Sequence, residues 1–313
     1  MRIAGTSYLD SMVNQINLLS SQEYQLENEA STGQAITAPS DNPVGMAEAM
    51  NLQTQNSADT QYAQNISTLQ TRATIAGNAL TSLQTISEKA SEIAASADGT
   101  ANPTQLQADA GQVTQLIQQA AQLMNTQDGS EYVFGGTASS SAPYTVNTDA
   151  NGNVTGVTYS GNTEVNQSDI AQNMAISVDA PGENNTGSGA RGVISDSRYG
   201  ADFFNHLISL QNDLLSGNTT AVSSTDASNI TKDDNNIIYQ VATNGAAQSR
   251  LTAAASFASS QQSGIQTSLT NVAGVDLTQT MTQLSQTQNS YQAALQTSSQ
   301  FMQMQQYVLS LLP

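Results

Sequence analysis

The chain has 313 residues, of which 38% are hydrophobic and 10% charged, and 7 Lys and Arg against 25 Asp and Glu give a formal net charge of -18. So few cations exclude a nucleic-acid binder, and the lack of cysteine excludes disulfide scaffolds and thiolate chemistry. No apolar run reaches the ~18 residues of a membrane span, and Asp10 and Asn17 interrupt any signal-peptide core, so we expect no membrane segment and no cleavable signal.

The N-terminus carries an apolar stripe at helical spacing. This spacing predicts a helix that ends at Ser31-Thr32-Gly33, because glycine suits a helix C-terminus. The members of the stripe are Leu9, Met12, Ile16, Leu19 and Leu26.

A loop with two prolines follows this helix. We expect Ser40 or Asp41 to cap the next helix, with Pro43 in its first turn. The residues that define this loop between the terminal and the following helices are Gly33, Pro39, Ser40, Asp41, Asn42 and Pro43.

Helical periodicity continues over most of the chain outside positions 129–200. It predicts one long helix from about Met46 to Asp98-Gly99 and a shorter helix from Pro103 to Asp128-Gly129. Further along it predicts a short helix over 203–214 and a long one over 230–272, which should pack on the first long helix as an antiparallel bundle. The stripe of the first long helix is Ile66, Leu69, Ala73, Ala76, Leu80, Leu83, Ser87, Ala90, Ala94 and Ala97.

Positions 129–200 differ in composition, since 11 of the 21 glycines lie there. The segments 144–147 and 154–159 are typical of strands, and Asn151-Gly152 between them is a hairpin signal.

The expected fold class is mainly α: an elongated antiparallel helical bundle or coiled coil with paired N- and C-terminal helices and a small inserted β domain. The expected domains are a terminal coiled-coil domain (1–40 plus 277–313), a helical rod domain (41–130 plus 200–276) and a β-rich insertion (131–199).

The C-terminal stretch has the clearest pattern, because apolar residues recur alternately every four and three residues, as in a coiled-coil seam. No charged residue occurs after Asp276, and Gln, Thr and Ser stand where a solvated coiled coil has charges. We hypothesise that both ends are mobile in the free monomer and become ordered when several subunits share these seams, which makes them the assembly interface. The apolar members of the C-terminal seam are Leu277, Met281, Leu284, Tyr291, Leu295, Met302, Leu309 and Leu312.

The sequence offers no candidate residue for catalysis, for a cofactor or for a metal. The only histidine, His206, lies in the apolar pattern around Phe203 and Leu207, so we interpret it as a packed or helix-surface residue. Asp233-Asp234 lacks any ligand spacing and is interpreted as a solvated helix face. We therefore expect a protein that is not an enzyme.

Several motifs together resemble the flagellin superfamily over the helical part of the chain. The most specific is Ser31-Thr32-Gly33 followed by Pro39-Ser40-Asp41-Asn42-Pro43; flagellins proper tend to read Ser-Gly-Leu-Arg-Ile-Asn in this region. Within the superfamily the chain is similar to the flagellar hook–filament junction proteins, the hook-associated protein 3 family. The other motifs are Met1-Arg2-Ile3, Tyr132–Gly136, Asn244–Leu251, Tyr291–Leu295 and Leu311-Leu312.

The resemblance implies a structural adaptor of the bacterial flagellum that joins the hook to the filament by self-assembly into a ring layer. Its terminal helices would line the inner tube, and its β insertion would project outward. The implied partners are further copies of itself, the other hook-associated junction protein, flagellin, and a type III export chaperone that binds the C-terminal segment. The implied location is the extracellular flagellum, reached through the flagellar type III apparatus without a cleavable signal.

Three other interpretations stay open from the sequence alone. A filament subunit of the flagellin type would share both terminal stripes. A secreted adhesin or a needle-tip-like protein would explain the polar, acidic surface, but it would need neither two matching ends nor the loop at Asn42-Pro43. An enzyme located in the β insertion would have few titratable residues to work with.

Overall fold

The computed structural model describes the backbone of residues 2–97 and 101–310, and the side chains within these ranges except those of residues 2–7, 9, 305 and 308–310. The chain divides into two compact units. The terminal unit contains residues 1–59 and 260–313, and the central unit contains residues 60–259. The mainly helical fold with a small β insertion is confirmed, whereas the three predicted domain boundaries stay a prediction.

Helices make up most of this structure. They are α1 (Arg2–Thr32), α2 (Pro43–Ser96), α3 (Pro103–Met124), α4 (Phe203–Ser216), α5 (Thr219–Ala221), α6 (Ala227–Ala273) and α7 (Leu277–Ser310), with a π-helical turn at Val222–Asp226 before α6. The two long helices predicted from periodicity are therefore continuous helices. The predicted end of the first one at Asp98-Gly99 lies outside the described residues.

Local residue chemistry explains where several helices begin and end. Asn102 caps α3, since its Oδ1 accepts a hydrogen bond from the amide of Gln105 at 2.9 Å. Asp276 caps α7 in the same way, because its Oδ1 accepts from two amides of the first turn. α1 ends at Thr32, just before Gly33, whose φ of 69° is a left-handed conformation that glycine adopts without strain.

The end of α3 differs from the prediction. The helix ends at Met124, and not at Asp128-Gly129. Asn125 closes it, because its side chain pairs with the backbone of Tyr144: Nδ2 donates to the Tyr144 carbonyl at 2.8 Å and Oδ1 accepts from the Tyr144 amide at 2.9 Å. The residues after Asn125 form a hairpin, so the polar segment that looked like a last helical turn belongs to the β insertion.

Nine short strands form four small sheets in the described part of the chain. The pair β1 (Gln127–Asp128) and β2 (Glu131–Tyr132), the pair β3 (Tyr144–Thr148) and β4 (Val154–Tyr159), and the pair β5 (Ser168–Ala171) and β6 (Met174–Ile176) are antiparallel. In the fourth sheet, β8 (Ser195–Asp196) pairs in parallel with β7 (Glu183–Asn184) and antiparallel with β9 (Ala201–Asp202). The predicted hairpin of β3 and β4 is confirmed.

The core of the central unit lies where α2, α3, α4 and α6 meet the β insertion. Leu83, Ile117, Phe203 and Ile230 come from these four helices, and each is fully buried together with Phe134 from the loop after β2. All ten positions of the stripe predicted between 66 and 97 are buried. The periodicity of α2 therefore identified its core face correctly.

Candidate assembly surface

The two ends of the chain pack on each other within the terminal unit. α1 lies along α7, and the ring centroids of Tyr8 and Phe301 are 4.8 Å apart. At the opposite end of the pair, Gln34 and Gly274 form an antiparallel bridge. The predicted pairing of the N- and C-terminal helices is thus present, and the two helices run antiparallel.

Backbone hydrogen bonds fasten the base of this helix pair. The amide of Ala35 donates to the carbonyl of Ala273 at 2.7 Å, and the amide of Val275 donates to the carbonyl of Gly33 at 3.2 Å. These bonds join the segment that leaves α1 to the segment that enters α7. Because they use main-chain atoms only, they hold the two helix ends together whatever side chains surround them.

The loop between α1 and α2 is organised by the side chain of Asp41. Its Oδ2 accepts hydrogen bonds from the amides of Ala38 at 2.9 Å and Thr37 at 3.1 Å. These two amides, with Ala38 contributing most, lower the pKa of Asp41 below its ordinary value. The predicted loop residue Asp41 therefore fixes the loop conformation itself.

The cap of α2 is one residue later than expected. Asn42 caps the helix, since its Oδ1 accepts from the amide of Gly45 at 3.0 Å, with Pro43 as the first helical residue. The prediction of Ser40 or Asp41 as the cap was wrong, because the Asp41 carboxylate is occupied by the loop amides before it.

α1 turns its predicted stripe toward α7. Met12, Ile16, Leu19 and Leu26 are half-buried, while the residues between them are mostly exposed. Leu9 is a predicted member whose side chain lies outside the described set. The N-terminal stripe is therefore used, at least in part, inside the molecule.

The predicted seam residues of α7 differ in exposure, although they share one sector of the helix. Leu284 and Tyr291 are half-buried. Leu277, Met281 and Leu295 are 43–53% exposed, and at ~100° per residue they fall within ~40° of one another around the helix axis. These three residues and Met302, which is 51% exposed, form an exposed apolar row on α7. Leu309 and Leu312 fall outside the residues whose side chains are described.

Large exposed apolar side chains are concentrated in the terminal unit. Of the eighteen among the described side chains, twelve belong to this unit, although it contains little more than a third of the chain. The twelve are Tyr8, Val13, Leu18, Tyr24, Val44, Met50, Leu277, Met281, Leu295, Met302, Met304 and Tyr307. Exposed apolar patches on soluble proteins are typical of interaction surfaces, so the terminal unit is the candidate assembly surface.

Charge is scarce on the same surface. α7 contains no Asp, Glu, Lys, Arg or His, and its exposed positions between the apolar residues are Gln, Thr, Ser and Asn. Desolvating a neutral amide or hydroxyl costs far less than desolvating an ion, and charges are depleted at the centres of protein interfaces. The exposed row can therefore be buried against another chain without leaving a buried charge that lacks a partner.

The only histidine and one of the acidic residues considered earlier pair in the central unit. Nδ1 of His206 lies 2.7 Å from Oδ2 of Asp233, whose side chain is fully buried, and Oδ1 of Asp233 accepts from the amide of Asp202 at 2.8 Å. The interpretation of Asp233 as a solvated residue was wrong, because it follows Ile230 by one helical turn and shares its buried face. Burial opposes protonation of His206, but the Asp233 carboxylate outweighs it and raises the pKa of His206.

The His206–Asp233 pair joins α4 to α6, and the next hydroxyl along α4, that of Ser209, is not bonded to it. Ser209, one turn along α4, donates instead to Oδ1 of Asp226 at 2.9 Å. In the part of the chain that the structure covers, no three His, Cys, Asp or Glu side chains come together as metal ligands. Within the same ranges, no helix is both long enough and apolar enough to cross a membrane.

Comparison with solved structures identifies the same fold elsewhere. A candidate flagellar hook-associated protein from Vibrio parahaemolyticus matches with a TM-score of 0.61 at 18% identity, over 75% of this chain and 100% of that chain. FlgL from Xanthomonas campestris matches with a TM-score of 0.56 at 18% identity, over 69% and 98% of the two chains. Flagellar hook-associated protein 3 from Legionella pneumophila matches with a TM-score of 0.60 at 13% identity, over 71% and 98%.

Sequence comparison identifies the family. No curated protein sequence matches significantly. The profile of the bacterial flagellin N-terminal helical region matches residues 7–139, and the profile of the C-terminal helical region matches residues 227–312. The two profiles cover α1 to α3 at one end and α6 to α7 at the other, so they include the two helices that carry the predicted interface residues. The chain therefore belongs to the flagellin superfamily, and its fold is shared with solved flagellar hook-associated proteins.

Proposed function

We propose that this chain is a structural adaptor of the bacterial flagellum that joins the hook to the filament. In this role several copies assemble into one ring layer, which contacts the other hook-associated junction protein on one side and flagellin on the other. Contacts between different faces of identical subunits suit this task, because each subunit must present one surface to the lattice above and another to the lattice below. The role is structural, and no reaction is part of it.

The observation that carries this proposal is the exposed row on α7. Burying the apolar parts of Leu277, Met281, Leu295 and Met302 in contacts between subunits removes half-exposed apolar area from water, which favours association at about 25 cal/mol per Å². The pairing of α1 with α7 leaves this row exposed, so the row is available for contacts with neighbouring subunits. We propose the predicted interface residues of both helices as this contact.

Export and chaperone binding complete the proposal. We propose that the chain reaches the extracellular flagellum through the flagellar type III apparatus, as members of the superfamily do. Before export, the uncharged α7 would lie in an apolar groove of a chaperone, which is a common mode for amphipathic helices. The same helix would therefore be covered before secretion and again after assembly.

The direct test is reconstitution on isolated hooks. We expect purified protein, added to hooks that carry the other junction protein, to form one extra layer visible by electron microscopy, and flagellin added afterwards to extend a filament from it. In the absence of hooks, the protein should not form fibres. If no layer forms, or if filaments grow equally well without it, the adaptor role is refuted.

A matched pair of variants makes the test specific. The variant L277Q/M281Q/L295Q replaces three exposed apolar side chains by glutamine, a good helix former, so α7 should stay folded while layer formation is lost. The control is Met174→Gln on β6 in the central unit, because Met174 is 49% exposed and lies outside the predicted interface. Normal assembly of the triple variant would show that the row is not the contact.

The second candidate function is that of a filament subunit, which the match to both flagellin profiles favours. A filament subunit polymerises by itself into long fibres once a seed or precipitant starts growth. A junction protein stops after its own layer. Fibre growth from purified protein alone, followed by light scattering and electron microscopy, would therefore select the filament subunit.

A further inference from the structure

A small cavity lies in the central unit between α2, α6 and the β insertion. Its volume is about 210 Å³, below the ~300–1,000 Å³ of sites for drug-sized ligands, so it suits a group the size of a side chain. Part of its wall is apolar, from Ala76, Leu80, Phe134 and Ala247. The polar part includes Arg191, Thr243, Asn244 and Asp179.

Arg191 is held in one orientation at this cavity. Its guanidinium carbon lies 3.5 Å from the ring centroid of Tyr199 and 4.2 Å from that of Tyr239, and its Nε donates to Oδ1 of the fully buried Asn236. Its backbone carbonyl accepts from Nε2 of Gln240 at 2.9 Å. Two cation–π contacts and these bonds position the guanidinium in advance, so little side-chain entropy remains to be lost when a ligand binds.

The terminal nitrogens of Arg191 are unused within the described structure. No carboxylate lies within ion-pairing distance of Arg191, whereas Arg72 and Arg198 each pair with an aspartate. Asn244 is 8% exposed, and its Oδ1 accepts from Gln248 at 2.7 Å while its Nδ2 makes no hydrogen bond to the described residues. The cavity therefore offers the terminal nitrogens of a fixed guanidinium and a nearly buried amide donor, for which the described residues provide no acceptor.

The charges and the apolar wall of the cavity determine which kind of anion it favours. Asp179 lines the cavity, and its carboxylate is paired with Nε of Arg72. The guanidinium of Arg191 is therefore left as the uncompensated positive charge of the lining, which matches a singly charged ligand. The apolar part of the wall favours a ligand that carries carbon beside its charge. A planar carboxylate also matches the two parallel N–H groups of a guanidinium.

We propose that the Arg191 cavity binds a monocarboxylate with a short aliphatic stem. The carboxylate accepts from the terminal nitrogens of Arg191 and from Nδ2 of Asn244, and the stem lies against Leu80 and Phe134. Such a group is either a free short-chain carboxylate or the acidic side chain of a second copy of this chain. The inference does not depend on the proposed function, since the cavity lies in the central unit and not on the exposed row.

Nuclear magnetic resonance of the arginine side chains measures carboxylate binding directly. The chain has five arginines, so the full-length protein gives at most five Nε–Hε signals, and Arg191→Gln assigns the one that matters. We expect butyrate to shift the Arg191 signal with saturation in the ~1–10 mM range, and chloride or phosphate at the same ionic strength to leave it unchanged. A shift that is linear in concentration, or equal for butyrate, phosphate and chloride, would overturn the proposal.

Two further variants separate carboxylate binding at Arg191 from the general effect of removing a positive charge. Arg191→Lys keeps the positive charge but loses the planar pair of donors, so we expect at least a ~10-fold weaker response, seen at the signals of Tyr199 and Tyr239. Arg250→Gln removes one charge at an exposed position of the same unit and should leave butyrate binding unchanged. Equal binding by wild type and Arg191→Lys, or equal losses in Arg191→Lys and Arg250→Gln, would contradict a built carboxylate site.

A dilution series distinguishes the two sources of the carboxylate. If the Arg191 signal moves with protein concentration in the absence of butyrate, and Arg191→Gln weakens self-association in sedimentation, an acidic side chain of a second copy occupies the cavity. If the signal responds to butyrate but not to dilution, the ligand is a free carboxylate. If it responds to neither, the cavity has no carboxylate ligand.

Discussion

Glu183 should make the stability of the protein depend on pH near neutrality. It lies on β7, with Asp202 on β9 of the same sheet, and it is half-buried. Burial, and to a smaller extent the negative charge of Asp202, raises the pKa of Glu183 from an ordinary 4.5 to about 7. The replacement Glu183→Gln keeps the shape of the protonated acid and cannot ionise.

The sign and the size of the change in the free energy of unfolding with pH follow from the linkage between protonation and folding. The folded-state pKa lies above the unfolded one, so folding favours the protonated acid, and stability decreases as the pH rises from about 4.5 to about 7. The difference between these two values corresponds to about 3 kcal/mol, and the partial exposure of Glu183 reduces our expectation to about 2 kcal/mol. Glu183→Gln should therefore be more stable than wild type by about 2 kcal/mol at pH 8 and nearly equal to it at pH 4.5.

Urea unfolding followed by far-ultraviolet circular dichroism at the two pH values measures this difference. Asp226, whose pKa is raised to about 6 first of all by burial, weakens the protein with rising pH in the same direction, but it is present in both proteins and cancels in the comparison. Glu164→Gln, at an exposed glutamate of the β insertion, is the matched control and should have no effect at either pH. Equal stabilisation by Glu183→Gln at pH 8 and pH 4.5 would refute the reasoning.

Three further substitutions test other parts of the structure. Asn42→Ala removes the cap of α2 and should cost about 1 kcal/mol, seen as faster amide exchange in the first turn, whereas Ser40→Ala should cost much less; similar rates in both variants would contradict the cap. Arg72→Met leaves the buried carboxylate of Asp179 without its partner and should destabilise the protein by about 3–5 kcal/mol in urea unfolding, so an unchanged midpoint would disprove the importance of this ion pair. Gln211→Leu removes the buried amide that bonds both backbone groups of one residue in β4, and it should lower the melting temperature through a loss of about 1–3 kcal/mol for each group left unpaired; calorimetry that shows no loss would contradict this.

The helical part of the fold could be predicted because its buried faces follow helical periodicity. The stripe from Ile66 to Ala97 is buried at every predicted position, since α2 keeps one face toward its neighbours along that length. The same periodicity could have placed Asp233, which lies one turn after Ile230 on the core face of α6. Its acidic character argued for solvent, but the partner that allows its burial is His206, far away in sequence and not visible in any local pattern.

The strands and the division of the C-terminal seam could not be derived in the same way. The strands from β5 to β9 have two to four residues each, too few for an alternating pattern to stand out. In α7, the heptad pattern correctly indicated an apolar sector, but it could not tell which of its members α1 would cover. Leu284 and Leu277 both fit the pattern, yet one is half-buried and the other exposed, a difference that depends on packing with α1 and not on the sequence of α7 alone.

The composition of α7 has a consequence for the surroundings in which its contacts must last. The helix contains no carboxylate, imidazole, ammonium or guanidinium group, because it has no Asp, Glu, His, Lys or Arg. Since the helix has no charged side chains, salt has no charge–charge attraction between such side chains to screen. We therefore expect the contacts that α7 itself makes to depend little on pH and on the electrostatic screening by salt.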